Sequence, residues 1–232
     1  MNYDNINRVF LADGDALMIK TDDLVQILSH IKNTLPECER IGIYASPKSI
    51  QTKSVEELII LKAAGLSIAY LGLESGSDEI LEDINKGAKS NEIIRQANKL
   101  KDAGILLSIT LISGLGGKEK SIQHAIESAK AINQIHPDYL GLLTLMIEPG
   151  TKFYDDVNSG EFQLLNPEEV ALETLVLLEN LDVEGCIFRS NHASNYISLK
   201  GILNKDKEIM INQLKQAIDG QVDFKDEFLR GL

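Results

Sequence analysis

Two hydrophobic periods take turns along this chain. Arg8-Val9-Phe10-Leu11-Ala12 is a short apolar run that ends in Asp-Gly-Asp, the pattern of a strand meeting a loop. Leu24, Ile27, Leu28 and Ile31 then recur at three- and four-residue spacing, which predicts a helix capped by Thr21 and ended by Pro36. Arg40 to Ala45 reads as the next strand. Ser54-Val55-Glu56-Glu57 is a capping box, in which each side chain accepts one of the other residue's unpaired backbone N–H groups. The helix it opens runs to Ala64, where Gly65 supplies a left-handed stop. Leu66 to Leu73 is apolar on both faces, as a strand covered on both sides must be.

The alternation continues downstream. Ser77-Asp78-Glu79 opens a helix closed by Lys86-Gly87, a second helix covers Asn91 to Ala103, and Ile105 to Ile112 is the fourth strand. Ile122, Ala125, Ile126, Ala129, Ile132 and Ile135 mark one face of a long helix that His136-Pro137 ends. Tyr139 to Ile147 is the fifth strand. Asn166-Pro167-Glu168-Glu169 starts a helix ending near Asp182. Gly185 to Arg189 is a short sixth strand, Lys205 to Ile218 a last helix, and the charged tail after Gly220 is expected to fray. Strands alternating with helices require right-handed crossovers and a parallel sheet. No linker composition divides the chain, so one α/β domain is expected over residues 1–220, with a tail over 221–232. Its architecture is either a partial (β/α) barrel or an open doubly wound sheet. Ligands in both sit at the carboxyl ends of strands. There the chain carries Asp13-Gly14-Asp15, Glu74-Ser75-Gly76-Ser77, Ser113-Gly114-Leu115-Gly116-Gly117 and Glu148-Pro149-Gly150.

Composition narrows the function classes. The chain has 232 residues, 44% of them hydrophobic, enough for one sizeable core. Its 23 Lys and Arg against 35 Asp and Glu contain no basic run, which disfavours a nucleic-acid surface. The start is polar without a basic leader, and no apolar stretch approaches the roughly 18 residues of a membrane span. A cytoplasmic location without membrane contact is expected. Cys38 and Cys186 form no spaced metal motif and read as reduced thiols, so no metal site is expected on this chain. Glu74 is the strongest ligand candidate, because a carboxylate after six apolar residues is costly unless it reaches solvent or a partner. Asp13 and Asp15 suit either a ligand or a common turn, and so does Glu148. Arg189, Asn191 and His192, with Ser194, Asn195 and Tyr196 behind them, form a polar cluster suited to substrate or to a solvated loop. His192 is the one catalytic candidate, as a proton donor or acceptor near neutral pH. His30, His124 and His136 read as surface residues.

Taken in series, the strand-end segments resemble those of the radical SAM superfamily, in the branch of oxygen-independent coproporphyrinogen oxidases and elongator-type enzymes. The likeness covers nearly all of residues 7–200. It implies a partial (β/α) barrel of mainly parallel strands with about five to six β/α units, the family's first strand missing. It also implies S-adenosylmethionine (SAM) as cofactor, together with a small-molecule substrate. Asp13-Gly14-Asp15 stands where the family holds the SAM amino group with a Gly-Gly-Glu-like motif, and both aspartates depart from that pattern. Glu74, Ser75 and Ser77 stand in the ribose-binding segment, with Lys86 at the basic position that follows. Gly114 and Leu115 stand in the turn beside the adenine, and Glu148 at the end of the sixth strand. The family's CxxxCxxC loop, whose three thiolates bind a [4Fe-4S] cluster, has no counterpart in this sequence. The cluster is therefore expected in an intact parent and not on this chain, which reads as a domain fragment, the product of a mis-assigned start, or a degenerate relative. The alternatives are a self-contained β/α-barrel lyase or aldolase using Glu74, Lys86 or His192, and a binding scaffold without catalysis. The resemblance specifies neither the substrate nor the oligomeric state.

Overall fold

A computed structural model describes residues 6–12 and 14–231. In chain order its elements are β1 (Arg8–Leu11), α1 (Thr21–Thr34), β2 (Arg40–Ala45), α2 (Pro47–Gln51), α3 (Val55–Ala64), β3 (Leu66–Glu74), α4 (Asp78–Asp83) and α5 (Ser90–Asp102). There follow β4 (Leu106–Ser113), α6 (Gly117–Ile135), β5 (Tyr139–Thr144), α7 (Lys152–Ser159), α8 (Pro167–Asn180), β6 (Ile187–Arg189), β7 (Lys200–Ile202) and α9 (Lys207–Ile218). The strands make one open, mostly parallel sheet in the order β1 to β7, the α/β partial barrel expected from the sequence. The pairs β1–β2, β2–β3 and β5–β6 are parallel, and β6–β7 is antiparallel. Opposite β2 the register of β3 slips by one residue, at Ser67, whose Oγ accepts the Ile41 N–H at 3.1 Å.

The chain divides into two compact units, Met1–Gly72 with Asn91–Ile109, and Leu73–Ser90 with Thr110–Leu232. In the first, α1 packs on α3 over a core that includes Leu24, Leu28, Ile43, Leu58, Leu61 and Leu71. Phe10 meets Tyr44 and Tyr70 edge to face, with ring centroids 4.6 and 5.2 Å apart. Position 42 must be small there, since a Cβ on Gly42 would come within 2.9 Å of the Phe10 ring. In the second unit α8 packs against both α6 and α9, with Ile132, Leu140, Leu178, Phe188 and Leu214 buried.

Four features differ from the sequence reading. Thr21 is the first residue of α1 and not its cap; its hydroxyl donates to Glu57 Oε1 at 2.6 Å, tying α1 to the start of α3. α2 and α7 lie outside the predicted set because they span only five and eight residues, too short to show a helical period. β7 is a three-residue antiparallel edge strand at Lys200–Ile202, between the sixth strand and the last helix, where the sequence reading assigns no element. The described residues after Gly220 are held to the rest of their unit and do not form a loose tail. Lys225 N donates to Tyr196 O at 2.9 Å, Glu227–Leu229 forms a 3-10 turn, and the Arg230 side chain is only 4% exposed.

Candidate functional site

In the first unit the candidate loop follows β1. Asp13 lies outside the described residues. Gly14 is exposed in a left-handed conformation (φ 65°) with open space where a Cβ would be. Asp15 turns inward: its carboxylate accepts from the Ser46 N–H at 3.2 Å and from the Ser46 hydroxyl. Ser46 is the N-cap of α2, so Asp15 braces the end of β2.

In the second unit Glu74 ends β3 with φ 62°, a left-handed conformation unfavourable for a residue with a Cβ. Its half-buried carboxylate pairs with Lys86 Nζ at 2.9 Å, and the turn at Asn85 (φ 53°) returns the chain to place that lysine. Ser75 and Ser77 are buried. The Ser75 hydroxyl accepts from Ser77 N at 3.0 Å and faces His124 Nδ1 at 2.8 Å. His124 Nε2 stands 3.0 Å from the Ile112 carbonyl, which can only accept, so the proton sits on Nε2 and Nδ1 accepts from Ser75. Gly76 N donates to Ser128 Oγ at 2.9 Å. A Cβ on Gly76 would fall inside contact distance of the Glu127 carbonyl, so α6 presses directly on this turn.

His124 is thus a buried anchor and not a surface residue. The buried face of α6 runs through Ser121, His124, Ala125, Ser128 and Ala129, whereas Ile122, taken for the core stripe, is 45% exposed. The sequence pattern finds Ala125, Ala129, Ile132 and Ile135 on this face but misses Ser121, His124 and Ser128, which are polar and face polar partners near the strand ends.

Sequence reasoning also misses Glu173. It lies on α8 with its side chain 3% exposed and accepts from Ser113 Oγ (2.6 Å), Gly114 N (2.8 Å) and Ser121 Oγ (2.8 Å). One carboxylate therefore holds the glycine-rich turn after β4 against α6 and α8. The available signal was a glutamate in register with Val170, Ala171, Thr174, Leu177 and Leu178, an acid on an apolar face. Leu115 is buried, and the second unit's turn continues through Gly117 (φ 55°), where the Phe162 ring and Gln163 carbonyl approach closely.

Glu148 is exposed, and its carbonyl accepts the Thr151 hydroxyl at 2.7 Å in the turn that starts α7. Arg189, Asn191 and His192 are exposed. Arg189 Nη1 donates to the carbonyl of Phe188, and His192 Nδ1 accepts from Ser194 N at 3.2 Å. Ser194 and Asn195 are buried and stitch β5: Ser194 Oγ accepts Thr144 N (3.2 Å), and Asn195 Nδ2 donates to Leu142 O (2.8 Å). The structure thus pairs Glu74 with Lys86, joins Ser75 to His124, ties Glu173 to Ser113, Gly114 and Ser121, and leaves Arg189, Asn191 and His192 on the surface.

A model of the radical SAM superfamily matches residues 2–129, more than half of the chain. The heme chaperone HemW of Bacillus subtilis is 23% identical over 183 residues, which are 78% of this chain and 48% of HemW. The fold is similar to that of Elp3 from the archaeon Methanocaldococcus infernus, with a TM-score of 0.63 at 18% identity, covering 93% of this chain and 55% of that one. It is also similar to coproporphyrinogen III oxidase (HemN) from Escherichia coli, with a TM-score of 0.58 at 16% identity, covering 75% and 40%. The chain spans about half the length of the curated relatives it matches, or less.

Proposed function

This chain belongs to the radical SAM superfamily, and we propose that it contributes the nucleoside-binding strand ends of a radical SAM core. Glu74 is the ribose-facing carboxylate in this reading, with Lys86 fixing its charge. Gly114 and Leu115 offer the turn to the base. Glu148 after β5 is a further candidate SAM contact of the same unit, and Asp13, Gly14 and Asp15 after β1 are retained as candidates on the sequence resemblance alone. Arg189, Asn191 and His192 are retained as candidate substrate contacts.

The observation that carries the proposal is the backbone of Glu74. A left-handed glutamate costs about 1–2 kcal/mol, and strain of this kind persists where surrounding structure enforces it for a purpose. Ser75, Gly76 and Ser77 are each pinned by side chains or backbone of their own unit, and the result presents one carboxylate at a strand end.

The [4Fe-4S] cluster that the family implies does not fit the residues of this sequence. Such a cluster needs at least three thiolates, and the sequence has only Cys38 and Cys186. Cys186 is buried, and burial pushes its thiol up to about 12, far from the thiolate a metal requires. Among the described residues no group of three His, Cys, Asp or Glu gathers as a metal site. No reaction step is therefore assigned to the cluster, and the proposed activity of this chain is SAM binding. A second reading, a scaffold without catalysis, is favoured by the closure of Ser75 and Ser77 within the protein.

Calorimetric titration of SAM into the chain and into Glu74→Ala separates the two. Saturable binding that weakens at least about tenfold in the variant, a loss of about 1.4 kcal/mol, supports the nucleoside site. No saturable binding, or equal affinity for both proteins, would sink it in favour of the scaffold.

A further inference from the structure

Arg230 is the most thoroughly held cation of the second unit, and it takes no part in the Glu74–Lys86 pair. Its Nε donates to Ser194 O at 2.6 Å and its Nη2 to Leu145 O at 3.0 Å. The guanidinium carbon lies 4.1 Å from the centroid of the Tyr196 ring. Two fixed carbonyls and one ring thus set its orientation. The remaining corner, Nη1, donates to the Tyr196 hydroxyl and to both oxygens of Glu227, at 2.7 and 2.8 Å. Tyr196 Oη donates in turn to Glu227 Oε2 at 2.6 Å. Burial above all, with the neighbouring Glu227, pushes the Tyr196 phenol up to about 12, so it remains a donor.

The two members of this ion pair are unequally anchored. Arg230 is 4% exposed and Glu227 is 69% exposed. Glu227 sits three residues earlier on the same turn; its carbonyl accepts the Arg230 N–H at 3.1 Å, and its side chain meets Arg230 and Tyr196 through the carboxylate. Beside the pair lies a cavity of about 380 Å³, within the size range of small-ligand sites. Its walls are mostly apolar, including Leu145, Met146, Ile147, Leu165 and Val170, with polar lining from Arg230, Tyr196 and Glu227 and from Ser113, Gly114 and Thr144. A planar, fixed guanidinium in the wall of a largely apolar cavity is the arrangement that recognises a carboxylate on an apolar body.

We propose that this cavity binds a small carboxylic acid, whose carboxylate replaces Glu227 on Nη1 of Arg230 while its apolar part lies against Leu145, Ile147 and Val170. Glu227 is the resident competitor: it occupies the guanidinium of the free protein and swings toward solvent when the ligand enters. The cavity shares Ser113 and Gly114 with the glycine-rich turn proposed to face the base, and the acid site is tested in the absence of SAM, so its failure is distinguishable from failure of the nucleoside site.

The test uses sodium hexanoate as probe and 1-hexanol as its neutral counterpart, titrated by amide NMR shifts of the full chain and two variants. Hexanoate is expected to bind saturably with shifts at Leu145 and Val170, at least about tenfold more tightly than hexanol. Glu227→Gln, which removes the competing charge but keeps an acceptor for Tyr196 and Arg230, is expected to tighten hexanoate about threefold or more. Arg230→Gln is expected to abolish the preference for the acid. Equal binding of acid and alcohol, or unchanged or weaker hexanoate affinity in Glu227→Gln, would overturn the proposal. A purely structural ion pair gives no reason for its own removal to improve binding.

Discussion

Replacing Glu173 by alanine puts a buried hydrogen-bond centre to a quantitative test. The carboxylate accepts three donors, at 2.6, 2.8 and 2.8 Å, in a side chain 3% exposed. The hydroxyls of Ser113 and Ser121 can rotate toward other acceptors, at a net loss of about 1 kcal/mol each. The Gly114 amide cannot rotate; left unsatisfied and buried it costs about 1–3 kcal/mol. The sum is about 3–5 kcal/mol, the scale found when one partner of a buried polar set is removed. For a protein of this size that corresponds to a fall in Tm of roughly 6–20 °C. Glu173→Gln keeps one acceptor oxygen for Ser113 and Gly114 and should lose only about 1–2 kcal/mol. Far-UV circular dichroism through a thermal or urea transition gives the stabilities, and hydrogen exchange at the Gly114 amide shows whether the loss originates in this turn. Stability of Glu173→Ala within about 0.5 kcal/mol of the parent, with Gly114 exchange unchanged, would refute the view that this carboxylate organises the glycine-rich turn.

Three further outcomes follow from particular contacts. Gly76→Ala forces a Cβ into the backbone of Glu127 and Ser128, which cannot yield as a flexible side chain would, so a loss of about 3 kcal/mol is expected by denaturant titration; a neutral effect would mean that α6 does not press on the turn. In a thiol-reagent assay on the native protein, half-buried Cys38 should react and Cys186 should not, with both reacting in denaturant; two fast thiols in the native state would contradict the burial of Cys186. The Thr21 hydroxyl, followed by the Ser54 backbone N–H, holds the Glu57 carboxyl below its ordinary range. A depressed folded value contributes stability that is complete above the unfolded value and disappears as pH falls through the folded one. Thr21→Val should therefore flatten the acid side of the stability profile, and an unchanged slope would exclude this hydroxyl as the cause.

Segments whose partners are close in sequence were legible at once. The capping box at Ser54 and the helix cap at Asn166 both form as expected, and the Asn166 cap also closes a box with Glu169. The alternation of periods gave the order of the main strands and helices, and the open, mainly parallel sheet follows from it. Glu74 was legible as a site candidate because an acid ending a buried run has few bland explanations. Its left-handed backbone was not, since nothing in Leu73-Glu74-Ser75 demands a positive φ.

The amino-acid sequence by itself determined the order of the longer strands and helices, and that polar groups gather at strand ends, because those follow from periodicity and local backbone chemistry. Tertiary structure alone decided which polar groups find each other. Glu173 meets Ser113 across 60 residues, Ser75 meets His124 across 49, and Arg230 reaches Leu145 across 85. Over such separations a polar residue in a helical pattern looks the same whether it faces water or a buried donor. Only packing, which removes water and leaves each buried polar atom in need of a partner, makes the distinction.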